Sequence, residues 1–319
     1  MRLTTAICTW NRSRLLRQAL HHLTLAVPPP RVEHEVIVVN NNCTDDTDEV
    51  IASFSGRLPI RRLFEPRPGQ SNARNAAVRE ARGDYVLWTD DDVAVDAGWI
   101  AGYAGAFERW PDAVLFGGPI SPWFAEPPPK WLERTWPEVS SAFATRDLGP
   151  EPLRFDGRRL IPYGANFAVR LAEQRLFPYD PDLGLRPGGN LRGEERAVVQ
   201  QLMAQGHDGW WVPEARVRHF IPAERMTTRY VRRYFVGEGE YQARMKPPGG
   251  EDAEGPMLFG RPRRAWRRAV AAEVRYRWTR LFSPPEVWVP YLMSASRAWG
   301  SMRPVRRHQE RAGRPSAAV

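Results

Sequence analysis

The chain has 319 residues, 42% of them hydrophobic and 26% charged, enough to bury a full core as one large domain or one domain with an appendage. Its formal charge of +9 is uneven: from Arg261 onward fourteen arginines face three acids, about +11, leaving residues 1–260 near −2 and excluding a protein sheathed in nucleic acid. Cys8 and Cys43 form no metal-ligand spacing or disulfide framework, Asn11-Arg12 comes too early for a signal-peptide core, and no uncharged run approaches the ~20 residues of a spanning helix. A reduced, cytoplasmic protein is expected, at most peripheral at the inner face of the cell membrane.

In chain order, residues 3–9 read as a buried strand, Asn11-Arg12-Ser13 as a turn and cap, and Leu15, Leu16, Ala19, Leu20 and Leu23 as a helix by their spacing. Residues 35–39 repeat the strand signal. A polar loop of three asparagines then leads to a helix in which Asp46 and Glu49 have capping-box spacing. A third strand is expected at 60–64, a helix at 72–82 carrying Ala73, Ala76, Ala77 and Ala81 on its packing side, and a fourth strand at 85–89. Strands alternating with helices at this cadence imply a mostly parallel sheet with helices on both faces and right-handed crossovers.

The fourth strand runs directly into Asp90-Asp91-Asp92. Three adjacent carboxylates repel one another unless a cation or hydrogen-bond donors neutralise them. They form either a solvated turn capping the next helix or, at the carboxyl end of a strand, a site for a hard divalent ion bridging to a phosphate. The same sheet edge would hold Thr9, Asn11, Asn40, Asn41 and Arg74: hydrogen-bonding groups for a base and ribose, and one cation for phosphate. Neither G-x-G-x-x-G nor a Walker sequence is present, so a nucleotide site here lacks a Gly-rich phosphate loop.

Further on, residues 98–110 read as a helix and 114–117 as a strand. The stretch 119–136 is too Pro-rich for regular structure; its Trp123 either packs within a surface loop or walls an acceptor pocket. Residues 163–169, including Asn166, look like a strand entered through small residues that let a ligand approach the backbone. A Gly-rich loop over 188–193 ends at Glu194-Glu195, where a helix begins; acids in a first turn are favoured by the macrodipole alone. Residues 210–213 read as a strand, and 215–219 as a short extension ending at His219, in a structural or a ligand role.

Four separated blocks resemble a family 2 glycosyltransferase of the GT-A fold. They are Thr9-Trp10-Asn11-Arg12 after the opening strand; Val38-Val39-Asn40-Asn41-Asn42-Cys43-Thr44-Asp45; Asn72-Ala73-Arg74-Asn75 with Gly83-Asp84-Tyr85 and Asp90-Asp91-Asp92; and Gly164-Ala165-Asn166 with Gly193-Glu194-Glu195. The resemblance implies a GT-A, Rossmann-like sheet with a C-terminal helical extension. It implies a catalytic domain at 1–245, divided near 118 into donor and acceptor halves, a linker at 246–262 and a basic extension at 263–319. It further implies a nucleotide-diphosphate sugar donor, UDP-linked, with Thr9 and Asn40/Asn41 meeting the base, Asn11 and Arg12 in the nucleotide-sugar site, and contact of Arg74 with the nucleotide or its phosphates. Asp90 and Asp92 would hold Mn²⁺ or Mg²⁺, with Asp91 near the ribose or sugar and His219 near the metal or diphosphate. Glu195 would be the general base, with Glu194 as second choice, in a single inverting displacement. Trp123 and Asn166 are the acceptor-side candidates, and the acceptor would be a saccharide, a lipid-linked glycan or a small molecule.

The chain departs from the family pattern at Asn40, where relatives usually carry Asp, and at Glu195, one methylene longer than the usual Asp. The Q-x-x-R-W sequence of processive synthases is absent, so transfer of a single sugar is expected. Residues 230–239 should form a helix beside the site. Over 261–280, Trp266, Val270, Val274 and Trp278 interleave with Arg, a pattern that suits either an anionic membrane surface or packing on the catalytic domain. The last residues, 303–319, read as disordered. Rival readings are a haloacid-dehalogenase-like phosphatase with Asp90 as nucleophile, a sugar nucleotidyltransferase, and a non-catalytic glycan- or lipid-binding protein.

Overall fold

The computed structural model describes residues 1–157, 160–185, 193–245 and 256–303. Its first half is built from the four expected strands: β1 (Arg2–Thr9), β2 (Glu33–Asn40), β3 (Ile60–Phe64) and β4 (Tyr85–Thr89), joined through α1 (Ser13–Leu23), α2 (Thr47–Ala52) and α3 (Gln70–Glu80). All pair in parallel, with β1 between β2 and β4 and β3 outside β2. Side chains along β1 alternate between two cores. Leu3 and Ile7 pack with Leu16 and Leu20 of α1, whereas Ala6 faces the opposite side with Ala73, Ala76 and Ala77 of α3. The small α3 residues let that helix lie close to the sheet, and Val36–Val39 of β2 are fully buried because both faces are covered.

After β4 come β5 (Val93–Val95), α4 (Trp99–Arg109), β6 (Leu115–Gly117), β7 (Ile120–Phe124), α5 (Lys130–Arg134) and α6 (Trp136–Val139). Then follow β8 (Asn166–Arg170), α7 (Leu171–Leu176), α8 (Glu194–Ala204), β9 (Gly209–Trp211) and β10 (Val217–Ile221). The main sheet has the order β3-β2-β1-β4-β8-β6-β9, with β8 antiparallel to both neighbours. A second sheet, β5-β10-β7, covers the edge where the functional loops emerge. Its β7 corrects the reading of 119–136 as irregular. Pro122 is accommodated because β7 is an edge strand, and α5 and α6 follow directly.

The chain continues as α9 (Thr228–Met245), a short hairpin of β11 (Met257–Leu258) and β12 (Arg261–Pro262), α10 (Arg263–Phe282) and α11 (Pro285–Ser301). The hairpin occupies part of the expected linker, whose residues 246–255 lie outside the described residues, as do residues 188–192 of the Gly-rich loop and 304–319 of the tail. A third core joins Phe143, Val231 and Phe235 to Tyr276, Trp288 and Leu292. Where α9 and α11 cross, a Cβ on Gly239 would strike the Arg297 carbonyl and one on Gly300 the Val236 carbonyl, so both positions exclude larger residues.

Asn166, an acceptor-side candidate, is instead fully buried. Its Oδ1 accepts from Trp99 Nε1 and Tyr103 Oη, both at 2.8 Å, and its Nδ2 donates to the carbonyls of Ala215 and Pro119. This side chain ties β8 to α4 and to the segments flanking the second sheet. Asn166→Ala leaves those buried partners unpaired and should cost about 3 kcal/mol or more in urea denaturation. Loss of activity at unchanged stability would contradict the structural assignment.

Candidate active site

The loops after β1, β2 and β4, the entry to β8 and the start of α8 enclose a cleft of about 740 Å³, closed on one side by Tyr230, Arg233 and Tyr234 of α9. The acidic triplet at the end of β4 faces this cleft and is largely neutralised by cations. The side chains of Asp91 and Asp92 are 6% and 4% exposed, that of Asp90 31%, which rules out a fully solvated turn. Thr9 Oγ1 donates to Asp91 at 2.8 Å, and one Arg12 nitrogen reaches both Asp91 and Asp92 at 3.1 Å. Asp92 also faces His219 Nε2 at 3.3 Å and Arg225 at 3.4 Å. His219 is itself oriented by its Nδ1, 2.8 Å from the Phe143 carbonyl.

These surroundings separate the three acids electrostatically. Burial would raise the Asp92 carboxyl, but His219, Arg225 and Arg12 hold it well below the usual range. Burial pushes Asp90 up to about 6 against the pull of Arg74, whose nearest nitrogen stands at 3.7 Å. Burial also raises Asp91, opposed by Arg12. Asp90 is thus the acid with the least local positive charge and the one most open to the cleft.

Arg74 is buried, its guanidinium 5.3 to 5.7 Å from the ring centroids of Trp88, Tyr179 and Phe167. Burial would lower its pKa, but Tyr179, Glu194, Asp90 and Glu195 hold it protonated. With its amide turned to satisfy both ends, Gln70 donates to Glu194 Oε1 at 3.2 Å and accepts from Arg74 at 3.1 Å. Glu194, at the first turn of α8, is pushed up to about 8 by burial and then by Glu195 beside it. Glu195 lies against Gly164, where any Cβ would come within 3.1 Å of its Cγ and Cδ. Its Oε2 is buried and has no hydrogen-bond partner among the described residues, as is also true of Arg74 Nη1. A buried polar oxygen left without a partner beside an open cleft is placed to take a hydrogen bond from a ligand there.

Of the residues singled out in the sequence, Thr9, Arg12, Asn41, Arg74, Asp90, Asp91, Asp92, Glu194, Glu195 and His219 line the cleft. Asn41 shapes it: its amide nitrogen donates to the Glu65 and Arg67 carbonyls and its oxygen accepts from Gly69 N. Asn40 lies outside the lining, bonded to Asp48 and to Cys43 N, which leaves its amide engaged within the protein rather than turned to a base. Asn11 adopts a left-handed turn and accepts from Thr44 N, also outside. Trp123 lines a separate surface groove with His22 and packs edge-on against Phe220, not in the acceptor side of this cleft. The sequence reading missed Gln70 and Arg225. Nothing local marks them; the 3-10 turn after Pro222 acquires its place only when β10 delivers it to Asp92.

Comparison with known proteins agrees with this geometry. Residues 4–161, about half the chain, match the sequence model of Glycosyl transferase family 2. Over 267 residues the chain is 23% identical to the succinoglycan biosynthesis protein ExoM of Rhizobium meliloti, covering 83% of this chain and 79% of that one. The structure resembles TarS of S. aureus, residues 1-349, with a TM-score of 0.53 at 11% identity over 94% of this chain and 89% of that one. It also resembles the mannosyltransferase PcManGT from Pyrobaculum calidifontis, with a TM-score of 0.54 at 18% identity over 92% and 86%. The fold is that of the GT-A glycosyltransferases. The chain belongs to glycosyltransferase family 2, and is an enzyme of that class rather than a phosphatase or a non-catalytic binding protein.

The raised Glu194 gives a pH signature. Its folded pKa of about 8 lies above the ordinary 4.5, so the folded state binds this proton more tightly, and stability falls as pH rises from about 4.5 to about 8. Glu194→Gln should flatten this part of the pH dependence of the urea midpoint. An unchanged slope would mean that Glu194 is ionised in the folded protein.

Proposed function

We propose that this enzyme transfers a single sugar, with inversion, from a nucleotide-diphosphate donor, UDP-linked by preference, to an acceptor hydroxyl held near α9. The observation that carries this reading is that one cleft gathers two acidic groups of different character. Asp90–Asp92 sit among cations at the end of β4, while Glu195 at the start of α8 keeps an unpartnered carboxylate oxygen. The first suits a diphosphate and its counter-ion, the second the proton of an attacking hydroxyl.

Asp90 and Asp92, with His219 beside them, would hold Mn²⁺ or Mg²⁺. Among the described residues no three acid, Cys or His side chains form a closed metal cage. The fit is therefore to an ion that takes one or two carboxylates from the protein and completes its shell with phosphate oxygens and water. The weakly neutralised Asp90 supports that fit, and PcManGT was solved with GDP-Man and Mn2+. The ion would supply charge stabilisation for the departing diphosphate. Arg12 and Arg225 contribute fixed positive charge at the same end of the cleft, while buried Arg74 holds the donor-side and base-side acids in register. Glu195, set against Gly164, takes the acceptor's proton as the hydroxyl attacks the anomeric carbon. A saccharide, a lipid-linked glycan or a small molecule all present such a hydroxyl.

Calorimetric titration with UDP, GDP, CDP and dTDP, each with Mn²⁺ and with EDTA, tests the donor assignment; one nucleotide should bind, and chelation should abolish its binding. Asp92→Ala should lose metal-dependent donor binding. Glu195→Gln should keep donor binding and lose transfer by about 100-fold or more, the usual contribution of general-base catalysis. Full turnover in Glu195→Gln would overturn its role as base.

A further inference from the structure

The face of α10 turned away from the protein has no partner among the described residues and carries a specific chemistry. The inner side of this helix is fixed by Ala269, Glu273 and Tyr276, which are buried against its neighbours. Trp266, grouped in the sequence with the outward aromatics, turns inward to Trp299, and its indole donates to the Leu258 carbonyl at 2.8 Å. The outer side presents Val270, Val274, Trp278, Leu281 and Phe282, which are 48 to 74% exposed. At 100° per residue these five span about a third of the helix circumference, a continuous apolar stripe.

The borders of the stripe are cationic. Arg263 and Arg267 continue it into the first turns, with Arg264 and Arg275 along one edge and Arg277 along the other, all exposed. The helix contains seven arginines and one acid, Glu273, which is buried and bonded to Arg232 and Arg277. The exposed side of the helix therefore carries no carboxylate. A partner copy of the same face would bring arginines against arginines, whereas an anionic lipid surface matches the stripe and its rim together: the apolar residues enter the headgroup boundary and the guanidiniums meet phosphates. No helix of the described residues is long and apolar enough to cross a membrane, so such contact would lie in the plane of the interface.

We propose that the outer face of α10 docks the enzyme onto an anionic phospholipid surface. Arg232 of α9 pairs with Glu273 of α10, and α11 packs between the two helices' cores, so docking would hold the α9 wall of the cleft at a fixed height above the lipid. This inference does not depend on the sugar or nucleotide used.

The test is co-sedimentation of the full chain with vesicles of phosphatidylcholine, alone and mixed with phosphatidylglycerol. Binding is expected only to the mixed vesicles and should weaken with added salt. The triple substitution Val274→Ser, Trp278→Ser, Leu281→Ser should lower the partition coefficient about tenfold or more, and Arg264→Glu with Arg275→Glu should lower it comparably. Circular dichroism and nucleotide titration should be unchanged in both variants, because none of these side chains reaches the cleft. No binding to anionic vesicles, or binding that neither variant weakens, would overturn the proposal. A dimer in sedimentation that the triple variant dissolves, without vesicle binding, would reassign the face to contact between copies.

Discussion

One buried guanidinium sets the electrostatics of the cleft. Arg74 has lost nearly all its water and is surrounded by three aromatic rings, an environment that penalises an isolated charge heavily. It is retained because acidic side chains from two elements far apart in sequence, Asp90 after β4 and Glu194-Glu195 on α8, surround it and oppose its desolvation. The dependence is mutual. Without Arg74 the positive charge that lowers Asp90 and Glu194 against burial would be gone, and without the acids Arg74 would be a buried charge with no compensation. The rest of the architecture delivers the participants: α3 carries Arg74 close to the sheet on a run of alanines, and Gly164 leaves room for it and for Glu195 at the entrance to β8.

The same logic divides the acidic triplet. The three acids lie in the turn between β4 and β5, whose backbone changes direction from one residue to the next, so each Asp meets different neighbours. Asp91 faces Thr9 and Arg12, Asp92 faces His219 of β10 and Arg225 in the turn beyond it, and Asp90 faces the open cleft. Three chemically identical side chains thus differ in proton affinity, and the one left with the least compensation is the one a cationic ligand can reach.

Most of the first half was legible from local pattern. The β-α cadence through β4, the alanine face of α3 and the abrupt acidic end of a strand are properties of short windows, and they located the sheet edge that lines the cleft. Legibility failed where a role depends on which partner arrives from elsewhere. Asn166 reads as a ligand-side residue beside a small-residue strand, but α4 places Trp99 and Tyr103 against it and converts it into a buried junction. Asn40 is engaged by Asp48 in the first turn of the following helix. Trp123 belongs to an edge strand that proline statistics argue against, and the strand exists because β10 supplies its partner. Arg225 and Gln70 carry no local signature at all.

The crossing of α9 over α11 has a mechanical consequence. Glycines at the two points of closest approach bring backbone onto backbone, without an intervening layer of side chains that could yield. The helix that walls the cleft is thus backed directly by the helix that closes the chain's described part. A chain cut after α9 would strip the covering from Val231 and Phe235, on the same helix as Tyr230, Arg233 and Tyr234. What looks in the sequence like an appended tail is the backing of the helix that walls the pocket.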